Sequence, residues 1–392
     1  MIGVGAAGPT GQDAAGATSR GSERDHWIAL SLVAGIGPAS FAQLIRRHGS
    51  AAAAWAAGGD GAGVLAGDAI GIGAALDAMR RHDPRAVARR VIERTERVGG
   101  RVILATDDDY PPALLTLDPR PPVLYVTGDQ AAFTERAVAV VGTRRASGYG
   151  LATAGEIGIE LAGAGVVVVS GLALGIDGAA HRAAVEAGGR SIAVLPSPLD
   201  RIYPPRHRPL ARDLLRAGGA LVTELPIGAP VGKPDFARRN RVIAGLAEAV
   251  VVVEAPDHSG ALLTAAAARA TGREVHAVPG PIDAMASRGT NRLIADAQAT
   301  IVTSSAGLLR TIGLRAASVP PVVAALSEVE GQLLRHLLER SGSIEELMER
   351  TRHPAASVAS ALALLEARGL VNSFGGATVH PTLAAKRLAG VV

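Results

Sequence analysis

Hydrophobic positions divide the chain into stretches of different period. Between 136 and 312, short continuous apolar runs alternate with amphipathic ones. The runs Ala137–Val141, Val166–Ser170, Ser191–Leu195, Ala220–Thr223, Ala249–Glu254, Val275–Val278 and Thr300–Thr303 are strand-sized and mostly valine-rich. Helical spacing fills the intervals near 149–163, 176–187, 207–217, 239–247, 261–271, 288–297 and 305–312. Strands without a polar face, each followed by a helix, predict a parallel sheet covered on both sides, hence an α/β fold.

The flanks have other periods. Residues 25–98 read as helical, with LVAGIGPAS at Leu32–Ser40 separating two amphipathic segments. Such a helix, Gly-Ile-Gly turn and helix resembles a helix-hairpin-helix (SAM-like) domain, whose turn amides hold a DNA phosphate. An ordinary tight turn using glycine at positive φ accounts for the same letters. Residues 99–130 are proline-rich, with strand-like Arg101–Ala105 and Val123–Thr127, and join the central domain to give 99–312. Residues 1–24 are Gly/Ala/Ser/Thr-rich without periodicity and read as a disordered tail. Residues 313–325 read as a linker. In 326–392, leucines at 333, 334, 337 and 338 mark one helix, and Ser343 with Glu346 opens a second as a capping box. A third spans Pro354–Arg368, and a hairpin turns at Gly375–Gly376, which together make a winged helix. Its presumed recognition helix offers Arg352, His353 and Arg368 as basic groups, thin for duplex DNA and better suited to a structural or protein-binding role.

Composition narrows the chemistry. A chain of 392 residues holds two or three domains with cores of their own. With no cysteine, disulfides, thiolate metal sites and cysteine nucleophiles are excluded, and a reducing cytoplasm fits. The balance of 40 Lys+Arg against 36 Asp+Glu leaves +4, and Lys233 and Lys386 are the two lysines. Arginine is the better fork for phosphate, although wholesale replacement of lysine by arginine fits the Ala and Gly excess equally. No apolar run reaches membrane-spanning length, so the expectation is a cytoplasmic protein without membrane partners.

Candidate chemistry gathers after the predicted strands, where open α/β sheets bind ligands. The densest cluster is FARRNR at Phe236–Arg241, placed just before a helix, with three guanidiniums and an amide in six residues. Four further loops bring glycine, hydroxyl or arginine to helix starts: Gly142–Gly150, Ser170–Asp177, Asp257–Thr264, and Pro279–Pro281 with Arg288–Asn291. Free amides and the helix dipole there attract anions. The loop Gly142–Gly150 does not have the G-x-G-x-x-G spacing, and no Walker lysine pattern, G-x-S-x-G or H-E-x-x-H is present. No cofactor, metal site or catalytic set is expected. Asp177 and His181 share a helix face. They suit either a base with its orienting group or, the reading preferred here, a helix cap beside a packed histidine.

Ordered segments then carry a resemblance. Tyr110–Leu114, Val140–Gly150, Ser170–His181, Leu199–Pro204, Phe236–Leu246, Ser259–Thr264, Pro279–Gly280 and Gly289–Asn291 resemble the DNA-processing protein A family (DprA, also called Smf) over about 110–303. The resemblance implies an extended Rossmann-like domain that dimerises and binds single-stranded DNA. It implies a recombination mediator that protects incoming strands and loads the RecA recombinase in natural transformation, with no established catalytic activity. By motif, the phosphate pocket would use Arg144, Ser170, Gly171, Lys233, Ser259 and Gly260. Phe236 would stack on a base, and Arg239 and Arg241 would line the same surface. Pro196-Ser197-Pro198 departs from the family's Gly-x-Gly turn and puts an anion contact there in doubt, because two prolines remove donors and fix φ. Two rivals stand beside this reading. One is a nucleotide-processing Rossmann enzyme resembling phosphoribohydrolases, although Pro279–Ile282 lacks their glycines and glutamate. The other is a transcription regulator acting through its C-terminal domain.

Overall fold

The computed structural model describes residues 23–61, 69–313, 326–374, 378–382 and 385. The chain divides into two compact units, Met1–Ala317 and Ser318–Val392.

The first unit opens with five helices, α1 (23–31), α2 (Pro38–His48), α3 (Ala51–Gly61), α4 (Ala69–Met79) and α5 (Pro84–Glu96). Residues 23 and 24, expected in the tail, belong to α1. The Glu23 carboxylate accepts from the Ala51 and Ala52 amides at the start of α3, and Arg24 pairs with Asp107 at 2.5 Å. The Gly-Ile-Gly turn lies between α1 and α2, and Gly35 takes φ 84° there, a conformation that disfavours a side chain. Leu30, Phe41, Leu44, Trp55 and Leu76 form this layer's core.

The rest of the unit is a nine-stranded sheet. Its strands are β1 (Arg101–Leu104), β2 (Val123–Gly128), β3 (Ala137–Val141), β4 (Val167–Ser170), β5 (Ser191–Val194), β6 (Ala220–Thr223), β7 (Ala249–Val252), β8 (Glu274–Ala277) and β9 (Thr300–Ile301). They lie in the order β1-β2-β6-β5-β4-β3-β7-β8-β9. The seven strands from β3 onward are parallel, as their valine runs predict. β1 and β2, from the proline-rich segment, extend this sheet antiparallel at the β6 edge.

Seven helices follow: α6 (Gly148–Gly163), α7 (Ile176–Glu186), α8 (Arg208–Arg216), α9 (Lys233–Leu246), α10 (Gly260–Ala270), α11 (Arg288–Ala295) and α12 (Ser305–Thr311). α9, α10 and α11 bury Val242, Ile243, Ala265 and Leu293 against one face. α6, α7 and α12 bury Ile157, Leu161, Ala180 and Leu308 against the other. α8 continues the second layer over β5 and β6 beside Ile28 and Ala88 of the helical segment. Each fully buried valine or leucine contributes about 1.5–3 kcal/mol, so two apolar layers fix this sandwich firmly. The sheet's winding direction reverses between β3 and β7, the position where a doubly wound fold opens a crevice.

The second unit contains α13 (Glu328–Glu339), β10 (Gly342–Ser343), α14 (Ile344–Thr351), α15 (Ala355–Ala367), β11 (Val371–Phe374) and β12 (Thr378–Pro381). Ser327 with Glu330 and Ser343 with Glu346 form the capping boxes that start α13 and α14. β11 pairs antiparallel with β12 in a winged-helix arrangement. The Gly375–Gly376 turn, tail residues 1–22 and linker residues 314–325 lie outside the described residues.

Candidate functional site

At the crevice between β3 and β7 the loops after both strands and the first half of α9 enclose a cleft of about 350 Å³. Thr143, Arg144, Phe236, Arg239, Ser259 and Gly260 all line it. A narrower slot opens beside it between Phe236, Tyr203, Leu174 and Pro196, with Arg144, Gly171 and Arg239 also lining it.

The loop after β3 owes its shape to Glu254. This buried carboxylate accepts from the amide and the hydroxyl of Ser147, both at 2.8 Å, and the Glu254 carbonyl accepts from the Thr143 amide at 2.7 Å. Ser147 in turn caps α6 by accepting from the Gly150 amide at 3.0 Å. A side chain at Gly150 would collide with the Glu254 carboxylate. The pinned loop holds Arg144 out in solvent, its guanidinium 5.1 Å from the Phe236 ring centre. Tyr203 meets the same ring edge-on, centroids 5.7 Å apart and planes at 82°. Phe236 thus stands between a cation and a second aromatic, an arrangement that leaves the rim partly apolar and partly charged.

Beneath the rim lies a buried network. Arg239 Nη1 donates to the Gly171 carbonyl at 2.5 Å and the Val194 carbonyl at 2.7 Å, and Nε donates to Asn240 Oδ1 at 3.1 Å. Asn240 donates onward to the Gly260 carbonyl, tying α9 to the start of α10. Asp177 Oδ2 accepts from the amides of Gly171 at 3.1 Å and Ala173 at 3.4 Å. Burial pushes the Asp177 carboxyl up, opposed by Arg239 and those amides. Burial pulls Arg239 down to about 10, so it stays charged at neutral pH. Asp177 is the sole carboxylate among the cleft's lining residues, and Arg239 compensates it.

Two histidines lock the loop after β4, where Leu172 takes φ 55°, an unfavourable backbone for leucine. The Leu172 amide donates to His181 Nε2 at 3.3 Å, and His207 Nδ1 donates to the Leu172 carbonyl at 2.8 Å. His181 Nδ1 donates to Ser191 Oγ at 2.7 Å, a neutral tautomer assigned from the network because Ser191 itself donates to Val168. Burial first, then the charges of His207 and Arg239, pull His181 down to about 3. In the unfolded chain this histidine binds a proton near its ordinary 6.5, while the folded protein refuses it until about 3. Its contribution to stability is therefore complete above pH 6.5 and falls as pH drops toward 3, by up to about 1.4 kcal/mol per pH unit. Asp177 acts with opposite sign in part of that range. The expected result is that His181→Gln shows a smaller drop in melting temperature between pH 7 and pH 5 than the unaltered protein. An equal drop would mean that His181 is not held neutral.

The cleft gathers some of the residues expected from sequence and not others. Arg144, Phe236, Arg239, Ser259 and Gly260 converge on it, and Gly171 reaches its slot. Lys233 is exposed on the first turn of α9, three positions before Phe236. Ser170 lies wholly buried and donates to the Val140 carbonyl at 2.6 Å. The Gly171 amide is taken by Asp177 and its carbonyl by Arg239. Arg241 points elsewhere: Nη2 pairs with Glu224 at 2.6 Å and Nη1 donates to the Pro119 carbonyl. FARRNR lies within α9 rather than ahead of a helix at 239. Each helical residue turns about 100°, so Arg238 and Arg241 share the Glu224 side while Arg239 faces the cleft. Gly280 and Asn291 of the fourth loop bond each other in both directions. Pro196 walls the slot, and Ser197 donates to the Arg201 carbonyl. The sequence reading gave no role to Tyr203 or Glu254. An acid closing a strand and an aromatic before proline were the available signals. Among the described residues no cluster of three or more His, Asp or Glu is placed to hold a metal, and no helix is long and apolar enough to cross a membrane.

Residues 101–313 match the model of the DNA recombination-mediator protein A family, residues 317–377 that of the DprA winged helix domain and residues 21–57 that of a DprA-like N-terminal HHH domain. Protein Smf of Escherichia coli is 38% identical over 294 residues, covering 73% of this chain and 78% of that one. A putative DNA processing protein DprA of Mycobacterium tuberculosis is 39% identical over 318 residues, covering 74% and 81%. Among solved structures, DNA processing protein A of Streptococcus pneumoniae superposes with a TM-score of 0.62 at 29% identity, covering 73% of this chain and 97% of that one. DNA processing protein A of Helicobacter pylori, described for its single-stranded DNA binding mode, gives 0.50 at 28%, covering 54% and 95%.

Proposed function

The chain belongs to the DNA recombination-mediator protein A family, and on that premise we propose that it binds single-stranded DNA in the β3/β7 cleft and acts as a recombination mediator. In this reading Arg144, Lys233 and Arg239 draw the phosphates, the amides at the start of α10 beside Ser259 and Gly260 receive one of them, and Phe236 with Tyr203 takes a base. The observation that carries it is the convergence of Arg144, Arg239 and Phe236 on one cleft whose only carboxylate is already compensated. A cationic groove with an aromatic platform holds a strand without reading its sequence. The H. pylori relative's binding mode supports the same choice of ligand. We extend the proposal to a homodimer that protects incoming strands and loads RecA during natural transformation, in the cytoplasm.

The phosphoribohydrolase-like alternative needs a base that reaches substrate. His181 is wholly buried, and Asp177 is held by two amides. A regulator acting through the winged helix needs free cations there, yet of the three expected basic groups His353 bonds Gln332 and Arg368 pairs with buried Glu330, which leaves Arg352 exposed.

Fluorescence anisotropy with single- and double-stranded oligonucleotides across a salt series tests the proposal. Single strands are expected to bind more tightly. Three cationic contacts give a slope of log affinity against log salt of about −2. Removal of residues 318–392, a separate compact unit, is expected to leave single-strand affinity within about twofold, well under the tenfold that about 1.4 kcal/mol represents. Equal affinity for both DNA forms, or loss of binding on truncation, would count against it.

A further inference from the structure

We propose that the outward arginines of α8, with Arg206 before it and Arg182 beside it, form a second backbone-binding track that carries a single strand onward from the cleft. This rests on the single-strand reading of the cleft.

The chain itself links the two places. Tyr203 and Pro204 wall the slot. A single 3₁₀ turn, Pro205–His207, follows, and α8 starts at Arg208. α8 buries Leu210, Ala211 and Leu214 against the sheet. Its opposite face presents Arg208 and Arg212, four residues and about 6 Å apart along the axis. Arg206 is exposed just ahead of them.

The surface is rigid. His207 is seated on Gly178 of α7, where any side chain would strike its imidazole, and it also donates to the Leu172 carbonyl. This seat fixes the start of α8 against α7. Arg182, exposed, lies one turn beyond Gly178 on α7.

The charges are unmatched. Among the described residues none of Arg182, Arg206, Arg208 and Arg212 is ion-paired, although Glu186 and Asp200 are exposed nearby. Pairing begins at the far end of the layer, where Arg216 meets Asp213 at 2.8 Å and Arg190 meets Glu135. The unpaired stretch is thus the part nearest the slot. Like charges one helical turn apart cost a few tenths of a kcal/mol each, a cost that an anionic partner reverses. Guanidinium forks favour phosphate oxygens. The ridge lacks the apolar centre of a protein interface, and its continuity with the cleft selects a nucleic-acid backbone over an acidic protein face. Contacts to phosphate alone give length-dependent, sequence-independent affinity.

The test uses the full-length protein with Arg208 and Arg212 both changed to alanine, positions whose side chains leave the buried face of α8 intact. Oligothymidylates of about 5 and about 20 nucleotides bracket single-strand site sizes. The double variant is expected to lose about fivefold or more affinity for the longer strand, with a salt slope shallower by about 1.4, and to bind the shorter one as before. Arg144→Ala, run alongside, weakens both lengths if the cleft reading holds. If Arg144→Ala changes neither length, the cleft reading falls, whatever the ridge variant does. Equal losses at both lengths for the ridge variant would overturn the separate track. Unchanged affinity at both lengths would also overturn it and leave an acidic protein face as the ridge's occupant.

Discussion

Arg144→Ala is expected to lower affinity for single-stranded oligonucleotides about tenfold or more while leaving the melting temperature nearly unchanged. The two halves of this prediction have separate causes. A charge-assisted hydrogen bond to phosphate is worth about 1.5–3 kcal/mol, which is a factor of ten or more in binding. In the free protein Arg144 is exposed, and among the described residues its partner is the face of Phe236 at 5.1 Å. An exposed cation–π contact contributes about 0.5–1 kcal/mol, which lowers the melting temperature by no more than about 1–4 °C. Anisotropy at low salt and a thermal melt of the same preparation check both halves. Arg144→Lys should recover part of the affinity, since a point charge replaces a fork. Unchanged affinity for the alanine variant would remove Arg144 from the site.

Arg239→Leu is expected to behave in the opposite way, damaging the fold as well as binding. Arg239 is 6% exposed and supplies the donors for the Gly171 and Val194 carbonyls. Its loss leaves two buried carbonyls without a partner and Asp177 without its compensating charge. Removing one member of a buried charged group costs about 3–5 kcal/mol. At about 2–4 °C per kcal/mol for a domain near this size, the melting temperature should fall on the order of 10 °C. Differential scanning calorimetry checks it. A melting temperature within about 2 °C of the unaltered protein, at most about one kcal/mol at this size, would show that the network is not holding the loop after β4. Two arginines on one cleft thus differ in kind: Arg144 is available to a ligand, and Arg239 first holds the walls in place.

That difference marks the limit of what local pattern revealed. The FARRNR run read as a phosphate grip because three guanidiniums stand within six residues. On α9 they fan out, and only Arg239 turns to the cleft. Arg238 and Arg241 meet Glu224, which directly follows β6. Tyr203 illustrates the converse. Its local signals are the proline after it and the family-like segment around it, which give it no role, and it enters the site because the loop after β5 folds back onto Phe236. Glu254 shapes the Arg144 loop from the end of another strand. Ser170 and Gly171, carried over by family motif and lying in a glycine turn, have their polar groups committed to Val140, Asp177 and Arg239. A glycine turn shows that backbone comes close to something, without showing to what.

The sequence by itself determined the strands and helices of the central sheet, their alternation, the Ser343–Glu346 capping box of the second unit and the family. These follow from period, from cap residues and from motif order, all of which act over a few neighbouring positions. It did not determine that the proline-rich segment adds two antiparallel strands, because edge pairing depends on which strand is left open. Nor did it determine which arginines face solvent. Whether a guanidinium is free or consumed depends on helix phase and on partners such as Glu224, Gly171 and Pro119, which only the folded chain brings within hydrogen-bond distance.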